Sequence, residues 1–159
     1  MMALFRKWPR RHDPSNASSE GDQGPTDASD RLHDAEQYAP QGFRYPERLL
    51  ATLAMTELPV IDPWMWTSDH QGQSKFWAEI VAKQFPDRVL VPFAKHGGSD
   101  DVFCFDGSDH GGDPAVLVIH TFTQSGWEDR GHWPSFDAWW EEMERQHADW
   151  LAEESADET

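Results

Sequence analysis

Residues 89–122 have the sequence VLVPFAKHGGSDDVFCFDGSDHGGDPAVLVIHTF, and this stretch decides the fold. It contains three runs rich in β-branched and aromatic residues, at 88–93, 101–106 and 115–122, and a segment with paired glycines separates each run from the next. Short runs of this composition, joined by glycine turns, are typical of β-hairpins. We therefore predict an antiparallel β-meander of at least three strands, with one face covered by helices.

The only cysteine of the chain, Cys104, lies in the middle of the second run. Alternation along a strand places Val102 and Cys104 on one face and Phe103 and Phe105 on the other. A nucleophilic thiolate needs an electropositive and partly exposed setting, whereas the charges near Cys104 are acidic, so we interpret it as a packing residue. A single cysteine also excludes an intramolecular disulfide framework and a multi-thiolate zinc site, which is consistent with a reducing cytoplasm.

Apolar residues recur at helical spacing on both sides of the strands. This periodicity predicts helices over residues 46–57 and 74–85, and a long amphipathic helix that Ser135 caps at its amino end. The apolar stripe of the last helix consists of Phe136, Trp139, Trp140, Met143, His147, Trp150 and Leu151. Two prolines in residues 58–66 predict an extended loop, with Trp64 and Trp66 packed against the core. The predicted fold class is α+β, in the order α-α-β-β-β-α.

A chain of 159 residues is long enough for one domain with a substantial core. Residues 12–30 contain no aromatic residue and no aliphatic residue larger than alanine, so they cannot bury enough surface to offset the entropy of ordering. We therefore predict a disordered amino-terminal arm at 1–40, a single α+β domain at 41–152 and an acidic tail at 153–159.

The charge of the chain restricts its direct partners. There are 13 Lys and Arg residues against 29 Asp and Glu residues, which gives a formal net charge of −16. This charge repels nucleic acids and anionic membrane surfaces, and it speeds encounter with a basic protein or a cation. Because we find no apolar segment of signal-peptide or membrane-spanning length, we expect a cytoplasmic protein that is not inserted in a membrane.

Acidic residues cluster in and after the two glycine turns. The cluster consists of Asp100, Asp101, Asp106, Asp109, His110 and Asp113. These side chains make a divalent cation site chemically possible, but their spacing does not match an EF-hand loop. Asp and Gly are also the residues that tight turns require, so we favour turn chemistry over a metal site. We predict no cofactor and no catalytic residue.

Three stretches of the chain resemble the SUKH superfamily, whose members include bacterial immunity proteins and fungal cell-wall assembly regulators. Members typically have an aliphatic strand ending in a Pro-Phe-Ala-like step, a glycine and acidic turn, a strand ending in Phe-Asp, a strand ending near a His, and a helix beginning with Ser-Phe and followed by Trp. The matching residues here are Pro92, Phe93, Ala94, Gly97, Gly98, Phe105, Asp106, His120, Ser135, Phe136 and Trp139. The resemblance covers about residues 42–152.

The resemblance implies a bacterial cytoplasmic protein that binds and blocks a cognate toxin, often a nuclease or deaminase, without a common catalytic residue. On this basis we predict a non-catalytic binding domain of the immunity type. The alternatives are a scaffold or regulator of the same fold and a metal-dependent hydrolase that uses the aspartate cluster. The predicted partner-binding residues are Asp100, Asp101, Asp109 and Asp113 at the hairpin end, with Trp127, Glu128 and Asp129 in the loop before the last helix.

Overall fold

The computed structural model describes residues 24–158. The elements are α1 (Ala28–Tyr38), α2 (Glu47–Leu53), β1 (Trp64–Trp66), α3 (Gln73–Gln84), β2 (Leu90–His96), β3 (Asp101–Asp106), β4 (Val116–His120), β5 (Asp129–Trp133) and α4 (Phe136–Asp157). The α+β class is confirmed, and the observed order is α-α-β-α-β-β-β-β-α. The predicted order lacked the helix α1 and the strands β1 and β5.

The five strands form one sheet in which each strand pairs antiparallel with the next one along the chain. Its three central strands are the three predicted runs. The strand β1 lies in the segment predicted as an extended loop, and it has only three residues, all paired with the end of β2. The strand β5 has the sequence DRGHW, which has no alternation of apolar and polar residues that would predict a strand. Its side chains are mostly exposed.

Helices cover both faces of the sheet, so our prediction of one covered face is wrong. Phe103 and Phe105 pack on the face that carries Trp139 of α4, whereas Val102 and Cys104 pack against α3 on the opposite face. The physical reason is that both sets of side chains on β3 are apolar, and each set must be buried. Cys104 is fully buried, and burial raises the pKa of its thiol, which confirms the packing interpretation.

Aromatic packing dominates the α4 face of the sheet. The Phe93 ring stacks on Phe105 with ring centroids 4.3 Å apart, and it meets Trp139 edge-on at 4.9 Å. Each such pair adds about 0.5–1.5 kcal/mol beyond the area that it buries. The core-facing strands and α4 therefore form a stiff support for the loops at the ends of the sheet.

The amino-terminal segment packs on the domain, so the prediction of disorder over 1–40 is wrong for residues 24–40. Residues 1–23 of the predicted arm lie outside the described part of the chain. Asp27 forms a reciprocal capping box with Asp30 at the start of α1. Arg31 is 2% exposed, and its guanidinium donates to the main-chain carbonyls of Leu53 at 2.9 Å and of Met55. These bonds satisfy main-chain carbonyls at the carboxyl end of α2. The helix ends at Leu53, whereas the prediction placed its end at residue 57.

The last helix, α4, begins where the sequence predicted and extends further along the chain than predicted. The Ser135 hydroxyl accepts a hydrogen bond from the Ala138 amide at 3.1 Å, which confirms the predicted cap. The helix extends to Asp157, so most of the segment predicted as an acidic tail at 153–159 is helical instead. Alanine and glutamate in this segment are strong helix formers, so its acidic composition does not prevent helix formation.

Candidate partner-binding rim

The antiparallel pairing decides which predicted site residues meet. The β2–β3 turn and the β4–β5 loop lie at the same end of the sheet, where the Asp100 carbonyl accepts hydrogen bonds from the amide and the hydroxyl of Thr121 at 2.9 and 2.7 Å. Asp109 and Asp113 lie in the β3–β4 loop at the other end. The six residues of β3 separate the two ends by roughly 17 Å. Our grouping of all four aspartates into one hairpin end is therefore wrong.

Two aromatic side chains project from the β4–β5 loop at the end that carries Asp100. Phe122 is 60% exposed and Trp127 is 68% exposed. The Asp129 side chain, at the start of β5, is 66% exposed, and Asp100 is also exposed. We call Asp100, Phe122, Trp127 and Asp129 the rim. The sequence predicted three of its members, whereas Phe122 was assigned to the third apolar run and was missed.

Phe122 adopts a backbone conformation that non-glycine residues rarely take. Its φ is 58°, in the left-handed region. For a residue with a side chain, this conformation is about 1–2 kcal/mol less favourable than the right-handed one. Its amide donates to Oε1 of Gln84, at the end of α3, at 2.6 Å. Such strain persists only where the surroundings impose it, and it is concentrated at functional sites. The loop therefore holds the exposed Phe122 ring in an imposed position.

Glu128 anchors the loop and is not an exposed contact, so its prediction as a surface residue is wrong. It is 6% exposed, and its carboxylate accepts from the Gly126 amide at 2.6 Å and from Nη1 of Arg88 at 3.2 Å. The backbone amides of Glu128 itself and of Gly126, together with Arg88, hold the pKa of this carboxyl below its usual range. Arg88 also contacts Asp129 at 3.0 Å. These bonds fix both ends of the segment that presents Trp127.

Asp101 lies at the rim end, but its carboxylate is engaged by neighbouring side chains. Its Oδ1 lies 2.8 Å from Nδ1 of His120, and its Oδ2 accepts from the Ser99 hydroxyl at 3.0 Å. The side chain is 29% exposed. Asp101 therefore positions the turn. Asp100 and Asp129 are the more exposed acids of the rim, and Asp129 is in addition paired with Arg88.

The aspartates at the opposite end of the sheet make turns, as the sequence predicted. Asp106 accepts from the Ser108 amide at 3.0 Å, and Asp109 accepts from the Gly111 amide at 2.9 Å. Within residues 24–158, no three His, Cys, Asp or Glu side chains come together in a way that could hold a metal ion. The metal-dependent hydrolase alternative therefore draws no support from the described geometry.

Comparisons with protein-family models, with curated proteins and with solved structures find no match for this chain. Among the helices formed by residues 24–158, none combines the length and the apolar character needed to cross a membrane.

Proposed function

We propose that this protein is a non-catalytic binding domain, an immunity protein of the SUKH type that binds and neutralises a basic cognate toxin through the rim. One observation carries the proposal. Two largely exposed aromatic side chains, Phe122 and Trp127, stand on an anchored loop beside exposed acids, in a chain with a net charge of −16. The sequence resemblance to SUKH immunity proteins supports the same function.

The aromatic residues and the acids have separate roles in this proposal. Large aromatic side chains that become buried at the centre of an interface provide much of its binding energy. Charges around them set the association rate and the choice of partner. Because Glu128 and Gln84 already hold the loop, little conformational entropy remains to be lost when a partner binds.

A nuclease is the toxin class that fits this charge best. An enzyme that acts on nucleic acid presents a basic surface to the phosphate backbone. An acidic protein is attracted to that surface, and its bulk there excludes the nucleic acid. In this proposal Trp127 and Phe122 insert beside the basic cleft, while Asp100 and Asp129 meet its lysines or arginines.

The test is affinity purification of the tagged full-length protein from its own cells, with elution along a salt gradient and identification by mass spectrometry. We expect one basic protein in stoichiometric amount, released only at high salt. The double variant Phe122→Ala/Trp127→Ala loses this protein, whereas Phe76→Ala, which truncates a 46% exposed ring on α3, retains it. Several weakly held partners, unaffected by the rim variant, would instead support a scaffold and contradict immunity.

Charge reversal separates the two ends of the sheet. Asp129→Lys changes the rim, whereas Asp113→Lys makes the same change in net charge in the β3–β4 loop. We expect Asp129→Lys to slow association with the purified partner and to reduce its salt dependence, with a much smaller effect of Asp113→Lys. Equal effects would show that overall charge, and not the rim, determines binding.

A further inference from the structure

The helix α4 extends past the core that its first half covers. Its buried residues are Phe136, Trp139 and Met143, all near the amino end of the helix. From residue 151 to residue 157 the side chains are exposed, except that of Glu154, which is partly buried. At a rise of about 1.5 Å per residue, this exposed part adds roughly 10 Å of helix beyond the core.

The apolar stripe of α4 is only partly covered in the second half of the helix. Nδ1 of His147 lies 2.7 Å from the main-chain carbonyl oxygen of Asp62, and the Trp150 ring stacks on His147 with ring centroids 6.3 Å apart. Trp150 is only partly buried, and Leu151 beside it is 48% exposed. We call residues 147–157 the distal half of α4. It presents apolar and acidic side chains together on one exposed segment of helix.

The distal half also has acidic charge that the described chain leaves unbalanced. Its acids are Asp149, Glu153, Glu154 and Asp157. Arg145, the one Lys or Arg residue in the sequence of α4, contacts Glu142 and Asp149. Glu153 and Glu154 form no ion pair within residues 24–158. The carboxyl end of a helix has a partial negative charge, so acids there attract a cation more strongly than acids at the amino end do.

The chain itself contains a segment of complementary chemistry. Four of its 13 Lys and Arg residues lie in LFRKWPRR, residues 4–11, which we call the basic stretch. The basic stretch contains no acidic residue, whereas the rest of the chain has nine basic residues against 29 acidic ones. Leu4, Phe5 and Trp8 add large apolar side chains to these charges. The basic stretch therefore matches the distal half of α4 both in charge and in apolar character.

The connecting chain is long enough to bring the two segments together. The Gly24 carbonyl accepts a hydrogen bond from the Gln71 amide at 3.0 Å. The nine residues from Gln71 back to Asp62, whose carbonyl contacts His147, span at most about 32 Å. The 13 residues from Arg11 to Gly24 reach up to about 45 Å. Because both segments belong to one chain, their contact avoids the entropy cost of bringing two molecules together.

We propose that the distal half of α4 is a docking surface for the basic stretch of the same molecule. The cations of the stretch meet Glu153 and Glu154 near the negative end of the helix, and Trp8 packs on Trp150 and Leu151. The contact lies beside β1, which the second half of α4 approaches, whereas the aromatic loop of the rim follows β4. The proposal therefore does not depend on the immunity function.

Paramagnetic relaxation measured by NMR on the full-length protein tests the proposal. Cys104 is fully buried, so a nitroxide reagent labels the Ala3→Cys variant at the introduced thiol, next to the basic stretch. We expect the amides of residues 149–157 to lose signal at low salt, while those of the β3–β4 loop, at the opposite end of the sheet from the rim, keep it. Raising NaCl from about 0.05 M to about 0.5 M restores at least about half of the lost signal, because salt screens the contact.

Two matched charge reversals on α4 locate the contact. Glu153→Lys and Glu141→Lys each reverse one exposed charge of the same helix. The first, added to the labelled protein, reduces the signal loss at least about twofold, and the second changes it little. No signal loss at low salt, or equal effects of the two reversals, would overturn the proposal. A mixed sample, with the label and ¹⁵N on different molecules, identifies the occupant: the same signal loss there would assign the contact to a second copy and contradict docking within one molecule.

Discussion

The main-chain carbonyl of Asp100 accepts two hydrogen bonds from Thr121, one from the amide at 2.9 Å and one from the hydroxyl at 2.7 Å. Thr121 is fully buried. A single carbonyl of the β2–β3 turn therefore holds the first residue of the β4–β5 loop. The rim depends on this connection, because its acidic and aromatic members belong to two different hairpins.

Thr121→Val removes the hydroxyl bond while it preserves the shape of the side chain and the amide bond. We expect a loss of about 1 kcal/mol in the free energy of unfolding, measured by urea denaturation. Amide resonances of residues 122–127 also shift. The control is Thr123→Val, at a partly exposed position in the same loop, and it changes stability little. Equal losses in the two variants would show that the Thr121 hydroxyl bond is unimportant.

Phe122 provides a test of backbone strain that separates the ring from the backbone. Phe122→Ala removes the exposed ring and retains a side chain at a φ of 58°, whereas Phe122→Gly also relieves the strain. We expect the glycine variant to be more stable than the alanine variant by about 1 kcal/mol. Both lose the ring and therefore bind the partner more weakly. If alanine is the more stable of the two, the strain assigned to Phe122 is absent.

Glu128 makes stability depend on pH in the acid range. Because the pKa of its carboxyl is lower in the folded protein than the usual value of about 4.3, its stabilising effect is fully present above that value. The effect is lost as the pH falls through the folded pKa. We expect Glu128→Gln to cost about 1–3 kcal/mol near neutral pH and progressively less on acidification.

Urea denaturation from about pH 7 down to about pH 3 measures this convergence of the Glu128→Gln variant with the wild type. Glu141→Gln is the matched control, because Glu141 is exposed on α4. Its denaturation curves should follow those of the wild type throughout. A difference between Glu128→Gln and the wild type that stayed constant over this range would contradict a lowered pKa of Glu128.

Arg31 tests whether α1 belongs to the cooperative unit. Arg31→Lys keeps the charge but loses the planar group that bonds the Leu53 and Met55 carbonyls, and we expect a loss of at least about 2 kcal/mol. Arg130→Lys, at an exposed position of β5, is the control and has little effect. If Arg31→Lys behaves like the control, α1 packs without contributing to the stability of the rest of the domain.

Elements with an apolar period were predictable from the sequence, and the others were not. The strands β2 to β4 and the helices α2, α3 and α4 each carry such a period. The strand β1 exists because its three residues pair with β2, and β5 exists because it pairs with β4, so neither is encoded locally. The helix α1 was missed because its main anchor, Arg31, is a charged residue that carbonyls of a later segment bury.

The rim was only partly predictable for a related reason. Its acids and Trp127 were found because they are polar or bulky residues in turn sequences. Glu128 looked equivalent to Asp129 in sequence, and Arg88, about forty residues away, bonds both carboxylates. Only the burial of Glu128 and its bond to the Gly126 amide make it the anchor, whereas Asp129 stays a surface charge. The exposure of Phe122 follows from its left-handed backbone, which tertiary contacts impose.

The pairing of each strand with its successor has a consequence for how this surface evolves. The two connections that meet at the rim close separate hairpins, so an insertion in one of them leaves the strand register of the other unchanged. Loops on a rigid scaffold tolerate such variation, whereas core positions do not. Sequence changes in either connection can therefore alter the rim while the aromatic interior and the strand pairing stay as they are, provided that the bonds between Asp100 and Thr121 are kept.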